Sequence, residues 1–275
     1  MEEKILKNWA EFKPTIDEIR EKYGFHEFSI SADETKKSNN IILFRGQQNS
    51  ATWKLETTLE RKGKELFSVF DYYRLISKSV TELESYTGAV WNIQNYQEII
   101  DEINIKQNVF VPFLPNYNYL VYLRHHGYPS PLLDWTESPY IAAYFAMCEI
   151  PSDERVAIYA YIEMPNGNKS LKFGEPHISL QGPRVRTDKR HFAQKAWYTV
   201  ATRWSNEKSE HVFCSHHEIF DSRENGQDVL IKITIPSVYR KTALLELNDY
   251  NINHFTLFQS EDSLVKTLSM KDFDF

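Results

Sequence analysis

The sequence is poor in cysteine, in long apolar runs and in clustered cations, and each shortage removes a class of protein. Only Cys148 and Cys214 occur in 275 residues. That is too few for a disulfide framework and fits a reducing compartment. No stretch approaches the roughly 18 apolar residues of a membrane span. The amino terminus, MEEKILKNWAEFKPTIDEIREKYGF, is charged throughout and lacks the apolar core of a secretory signal. The chain therefore reads as cytoplasmic, with no membrane partner. No long run of Lys and Arg appears, and the formal net charge is −6, which weakens a duplex-binding reading. Walker, Rossmann, HExxH and GxSxG signatures are all missing. So are internal repeats, low-complexity tracts and an obvious interdomain linker.

Enough remains for a large core: 41% of residues are apolar and 14% aromatic. Residues 1 to 24 fit an amphipathic helix interrupted at Pro14, and 31 to 40 read as a polar loop. IILFRGQ (41–47) has strand length and composition. From 55 to 110, Leu, Phe, Tyr and Ile recur at three- and four-residue spacings, which predicts helices. YNYLVYLRHHG predicts another, ended at Gly127. Ser138 as N-cap and Pro139 at the first helical position start a further one. VAIYAYIEM, HVFCSHHE and DVLIKITIP are strand candidates; the Gly- and Pro-punctuated stretch between the first two predicts short strands at best. SVYRKTALLELNDYN is helical, and the tail from Ile252 reads as strand and then helix. Strands and helices mix without strict alternation, so the class is α+β.

The chemistry-bearing types gather in HHGYPSPLLDWTESPYIAAYFA (125–146). Arg45 ends an apolar strand beside Gly46; its planar fork suits phosphate or carboxylate, or a plain surface ion pair. Gly46 would let a ligand approach closely, and Gln47 adds amide donors. A helix starting at Thr136 or Ser138 exposes N–H groups that suit an anion, although both hydroxyls can simply cap. Asp134 can hold a turn or orient His125 or His126. Adjacent histidines diverge by about 100° on a helix, so both seldom reach one ion. His211, Cys214, His216 and His217 match no familiar zinc spacing, and no metal is expected. The one locally basic stretch, RVRTDKRHFAQKAWYT, carries Arg184, Arg186, Lys189, Arg190 and Lys195 beside Trp197 and Tyr198. It can serve a phosphate or nucleic acid, or be a solvated loop. Glu261 and Asp262 read as helix-capping acids.

LFRGQ (43–47) followed by LRHHGYPSPLLDWTESPYIAAYFA resembles the FRG domain, a bacterial and phage-associated family named for its Phe-Arg-Gly motif. The likeness runs over roughly residues 40 to 265. It implies an N-terminal helical extension (1–35) and an FRG domain (36–275) whose residues 55–125 are mostly a helical insertion. Pro131, Ala196 and Ser263 depart from the family's usual Arg, Gly and Gly. A further resemblance, in the order of strand-borne arginine, hydroxyl-rich turn and late polar residue, is to ADP-ribosyltransferases. It implies a central mixed or antiparallel split sheet and NAD as substrate. It also implies a macromolecular acceptor, protein or nucleic acid, and a role as toxin or anti-phage effector. By that resemblance Arg45 binds the pyrophosphate, with Gly46, Gln47, Trp135, Thr136, Ser138 and Tyr144 around the dinucleotide. His126, Asp134, Thr136 and Gln194 join Arg45 near the chemistry. Gln194 stands where a carboxylate is usual and can orient but not take a proton. The alternatives are a non-catalytic nucleotide-sensing module, or a nucleotide or nucleic-acid hydrolase using His126 with Asp134.

Overall fold

A computed structural model describes residues 1–31, 34–64, 66–105, 114–169, 175–222 and 228–274. The chain is α+β. Its main sheet is built from β1 (Glu2–Ile5), β4 (Ile42–Gln47), β5 (Leu133–Thr136), β6 (Arg155–Glu163), β7 (His177–Gln181), β8 (Ala196–Ser205), β9 (Glu210–Phe213) and β10 (Asp228–Pro236). The order is β1-β10-β6-β4-β5-β8-β7, with β9 also on β8. Strand β1 runs parallel to β10, and the other pairings are antiparallel.

The sheet is nearly divided in its middle. β4 pairs with β6 over six residues but meets β5 at one pair, Phe44 with Thr136. The two halves turn the same face toward each other. Leu43, Tyr159 and Tyr161 from one half share a core with Leu133, Trp135 and Trp197 from the other. The outer face of the first half, Phe44, Ile158 and Ile233 among its side chains, packs against α1 (Phe12–Tyr23), α5 (Pro139–Met147) and α8 (Arg240–Asp249). Beyond them lie α9 (His254–Phe258) and α10 (Glu261–Phe273). The outer face of the second half is covered by α2 (Val69–Thr87), α3 (Tyr96–Ile105) and α4 (Tyr117–His125). These three are the helices expected within 55–125.

Four local expectations change. Residues 1 to 24 begin as the strand β1, and Pro14 lies inside the first turn of α1, where its missing N–H has no helical acceptor to lose. The expected polar loop contributes to a hairpin of β2 (Phe25–Ser31) and β3 (Glu34–Asn39). From Ile252 the chain forms α9 and α10 with no strand, each helix opened by a capping box at Asn253 and Ser260. The Gly- and Pro-punctuated stretch holds α6 (Lys189–Ala193) and the ten-residue β8. After β9, α7 (His216–Ser222) sends Ile219 and Phe220 into the core between the half-sheets. Among the described residues no helix is long and apolar enough to cross a membrane.

Candidate functional site

Where β4 and β5 part, a cleft of about 370 Å³ opens, within the range of small-molecule sites. The register that pairs Phe44 with Thr136 does not continue. Instead Arg45 Nη1 donates to the backbone oxygen of Asp134 at 2.8 Å and lies 3.8 Å from Asp134 Oδ2. A side chain thus bridges a gap that ladder hydrogen bonds leave open. Arg124, in the last turn of α4, grips the Asp134 carboxylate as a fork: Nε to Oδ1 at 3.2 Å, and Nη2 to Oδ2. Its Nη1 donates to Thr58 Oγ1 at 3.2 Å. Arg190 of α6 reaches in from the opposite wall and donates to the backbone oxygen of His125.

Three guanidinium groups and one carboxylate therefore line the cleft, and a second carboxylate, Asp188, lies 3.9 Å from Arg190 Nε. Burial pulls Arg45 down to about 10, against the opposing pull of Asp134, so it stays charged near neutrality. Its buried Nε has no hydrogen-bond partner. For Asp134, desolvation works upward, but Arg124 and then Arg45 outweigh it and hold the carboxyl below its ordinary value. Its side chain is 38% exposed: an ionised carboxylate accessible from the cleft.

Beside this charged group stands a neutral one. His125 Nε2 lies 2.8 Å from the Tyr198 hydroxyl, and His191 Nδ1 lies 3.4 Å from the same oxygen. His191 Nε2 faces the Pro183 carbonyl at 3.0 Å. A carbonyl only accepts, so that nitrogen carries the proton and His191 Nδ1 is the acceptor. Desolvation, then the neighbouring Arg190, depress His125 to about 4, so it is uncharged at pH 7. Burial raises the Tyr198 phenol well above its ordinary value; it holds the two rings in place as a neutral hydroxyl.

The structure brings Arg45, Gly46, Asp134, Trp135, Thr136 and Gln194 together around one cleft. It does not bring His126 there: that ring sits over Tyr122 at 4.4 Å, exposed, on another groove, while His125 faces the cleft. Ser138 caps α5 by accepting from Ile141 N. Tyr144 is buried, its hydroxyl 3.2 Å from His254 Nδ1. Gln47 is buried and donates to Lys54 O. The Thr136 hydroxyl is already used, donating to Gln194 O and accepting from Ser138 N. Trp135 borders the cleft, but its indole donates to Thr199 within the inter-sheet core.

Gly46 has a different reason from the one its motif suggests. A Cβ there would sit 1.9 Å from Ala142 O and 2.7 Å from Ala146 N. The glycine lets α5 lie on β4; it does not make room for a ligand. Residue types and spacing alone missed Arg124, Phe145 and Phe258 as cleft residues, left the choice between His125 and His126 open, and left Arg190 and Tyr198 without a place. A phase signal existed for the histidines. Val121 is fully buried, so His125 four residues on shares its inward face, while His126 follows Tyr122. His211, Cys214 and His216 are buried, and no group of three or more His, Cys, Asp or Glu placed to hold a metal ion occurs among the described residues.

Residues 40–155 match the FRG domain. The FRG match is shorter than the motif likeness and ends at the start of β6. It supplies Arg45, Arg124, His125, Asp134 and Phe145, one wall of the cleft. Arg190, Gln194, Ala196, Tyr198 and Phe258, the facing wall, come from chain beyond it. Comparisons with curated proteins and with solved structures return no match.

Proposed function

We propose that the chain is an ADP-ribosyltransferase-like enzyme that takes NAD as substrate and modifies a protein or nucleic acid, as a toxin or anti-phage effector. One observation carries this reading: three guanidinium groups converge on a single cleft that aromatic side chains also line. A dinucleotide has matching parts, a doubly charged pyrophosphate flanked by rings. The near-division of the sheet at β4–β5 agrees with the split sheet of that resemblance.

In the proposed reaction the bond between ribose C1′ and the nicotinamide nitrogen breaks, and nicotinamide leaves with the electron pair. An acceptor nucleophile bonds to C1′ and releases its proton to solvent or a nearby base. Arg45 and Arg190 neutralise the pyrophosphate; Arg45 Nε is buried without a hydrogen bond, and Arg190 Nε has Asp188 at 3.9 Å. Asp134 is the carboxylate placed to stabilise positive charge at C1′. Thr136 and Gln194 shape the cleft through their mutual hydrogen bond.

The test uses purified protein with NAD labelled in its adenylate half, cell extract, and an Arg45→Ala variant. Label transfer and nicotinamide release are expected from the wild type. A charge-assisted bond contributes about 1.5–3 kcal/mol, so Arg45→Ala should weaken NAD binding ten- to hundredfold. NAD neither bound nor consumed by the wild type sinks the proposal. A second reading, a nucleotide-sensing module without turnover, is favoured by Gln194 and Thr136, neither of which offers a free base. It predicts calorimetric NAD binding, sensitive to Arg45, with no nicotinamide released.

A further inference from the structure

The cleft includes an aromatic slot, lined by two phenylalanines that pack against each other. Phe145 of α5 and Phe258 of α9 both line it and are only partly buried. Their rings meet edge to face at 6.1 Å and 87°. Phe258 is backed by the His254 ring, stacked at 4.3 Å and 27°, so its position is supported from behind. Ala142 and Ala196 line the same space and leave it unfilled, because each side chain ends at Cβ.

Gln194 stands at this slot with half its amide committed. Its Nε2 lies 3.1 Å from Leu257 O. A carbonyl oxygen cannot donate, so the nitrogen must face it and the orientation of the amide is settled by chemistry. Oε1 is then turned elsewhere, and no partner for it is found among the described residues. An accessible amide oxygen beside an aromatic slot recognises a flat ring that carries an N–H.

We infer that Phe145, Phe258 and Gln194 form a ring subsite for a heteroaromatic group bearing an exocyclic N–H donor. Both rings of NAD qualify, through the adenine amine or the nicotinamide carboxamide. The inference rests on the proposed NAD reading and adds the part of the ligand that discriminates. Two of its three residues are not in the FRG segment: Gln194 and Phe258 both lie beyond residue 155. Phe145 and Arg45 come from the matched segment, and Gln194, Phe258 and Arg190 from the rest of the chain.

Calorimetry with four probes distinguishes the two rings. One pair is ADP-ribose and its counterpart with an unsubstituted purine. The other is nicotinamide mononucleotide and its 3-acetylpyridine counterpart, where a methyl ketone replaces the amide. For the pair whose ring occupies the slot, the donor-less probe should bind five- to thirtyfold more weakly, since each tenfold is 1.4 kcal/mol. Gln194→Leu should abolish that difference. Phe258→Leu should weaken the preferred probe five- to hundredfold, the range of base–aromatic stacking. The comparison within each pair uses wild-type protein, so it survives if a variant fails to fold. Equal binding within both pairs, with Arg45→Ala still weakening binding ten- to hundredfold, overturns the subsite and leaves the NAD reading intact. Discrimination that persists in Gln194→Leu, or is indifferent to Phe258→Leu, places the ring elsewhere and overturns it too. If no probe binds wild-type protein, the NAD reading and the subsite fall together.

Discussion

Gly46 shows how a residue can be legible and its reason not. The Phe-Arg-Gly run stands out in the sequence, and a glycine beside an arginine suggests a ligand's approach. The atoms that approach are those of α5, whose backbone fills the place of a Cβ. Backbone facing backbone has little freedom to move aside, so Gly46→Ala should destabilise by at least about 2 kcal/mol, within or beyond the ordinary range for overpacking. A urea midpoint unchanged by the substitution would refute that. The buried histidines make a second prediction. His216 has no exposed surface, and its Nε2 lies 3.0 Å from the Thr199 hydroxyl, which also accepts from Trp135 Nε1. Burial, then the charge on Arg45, hold His216 down at about 3, as burial and Arg190 hold His125 at about 4. Both fall below the unfolded value of about 6.5, so the unfolded chain takes up protons first as the medium acidifies. The contribution is full above pH ~6.5 and is lost progressively toward pH 4 for His125 and pH 3 for His216. At pH 5 the loss amounts to at most about 2 kcal/mol per histidine. Thermal melts should fall steeply between pH 7 and 5, and His216→Asn should flatten that slope.

At the scale of elements, the sequence reveals those whose apolar spacing is strong. β4, β6 and β10 read as strands because they are apolar on both faces, and both faces are covered. α2 and α5 read as helices from periodicity and caps. The hairpin β2–β3 does not, because Glu27, Lys36, Lys37 and Ser38 give it no apolar alternation. β1 is equally quiet: EEKI joins the sheet through its backbone, at an edge, with three of four side chains exposed. The segment from Leu6 to Ile19 is not peripheral. Leu6, Trp9, Phe12, Ile16 and Ile19 are all buried in the core beneath the first half-sheet. The Trp9 indole donates to Glu246 on α8 at 2.5 Å. The N-terminal residues, expected as a helical extension, are part of the domain's core. Trp9→Ala should accordingly cost about 3–5 kcal/mol, read as a large drop in melting temperature. A dispensable extension would show none.

Over the whole molecule, the sequence yields the α+β class and the helices between residues 69 and 125, because both arise from local patterns. The face-to-face arrangement of the half-sheets depends on contacts such as Trp135 with Tyr161, 5.4 Å between ring centroids. Nothing in the spacing along the chain signals them. The same holds for the site. Arg45 and Asp134 stand in recognisable runs, but Arg190, Gln194 and Phe258 arrive from 145 to 213 positions beyond Arg45. Their polar or aromatic character is visible; their meeting is a property of the fold.

The one-pair contact between β4 and β5 gives the cleft a mechanical meaning. Side chains and a single backbone pair hold the two halves together on the cleft side, so this is where the sheet should breathe. An anion lodged between Arg45 on one half and Arg190 on the other would act as a rivet. Pyrophosphate alone, without a ring, should then slow amide hydrogen exchange in β4 and β5 more than in β10. Exchange slowed equally in all three strands, or in none, would mean the seam is not the compliant part. Affinity and stiffness would in that case be separate properties of this protein, whereas the seam makes them one.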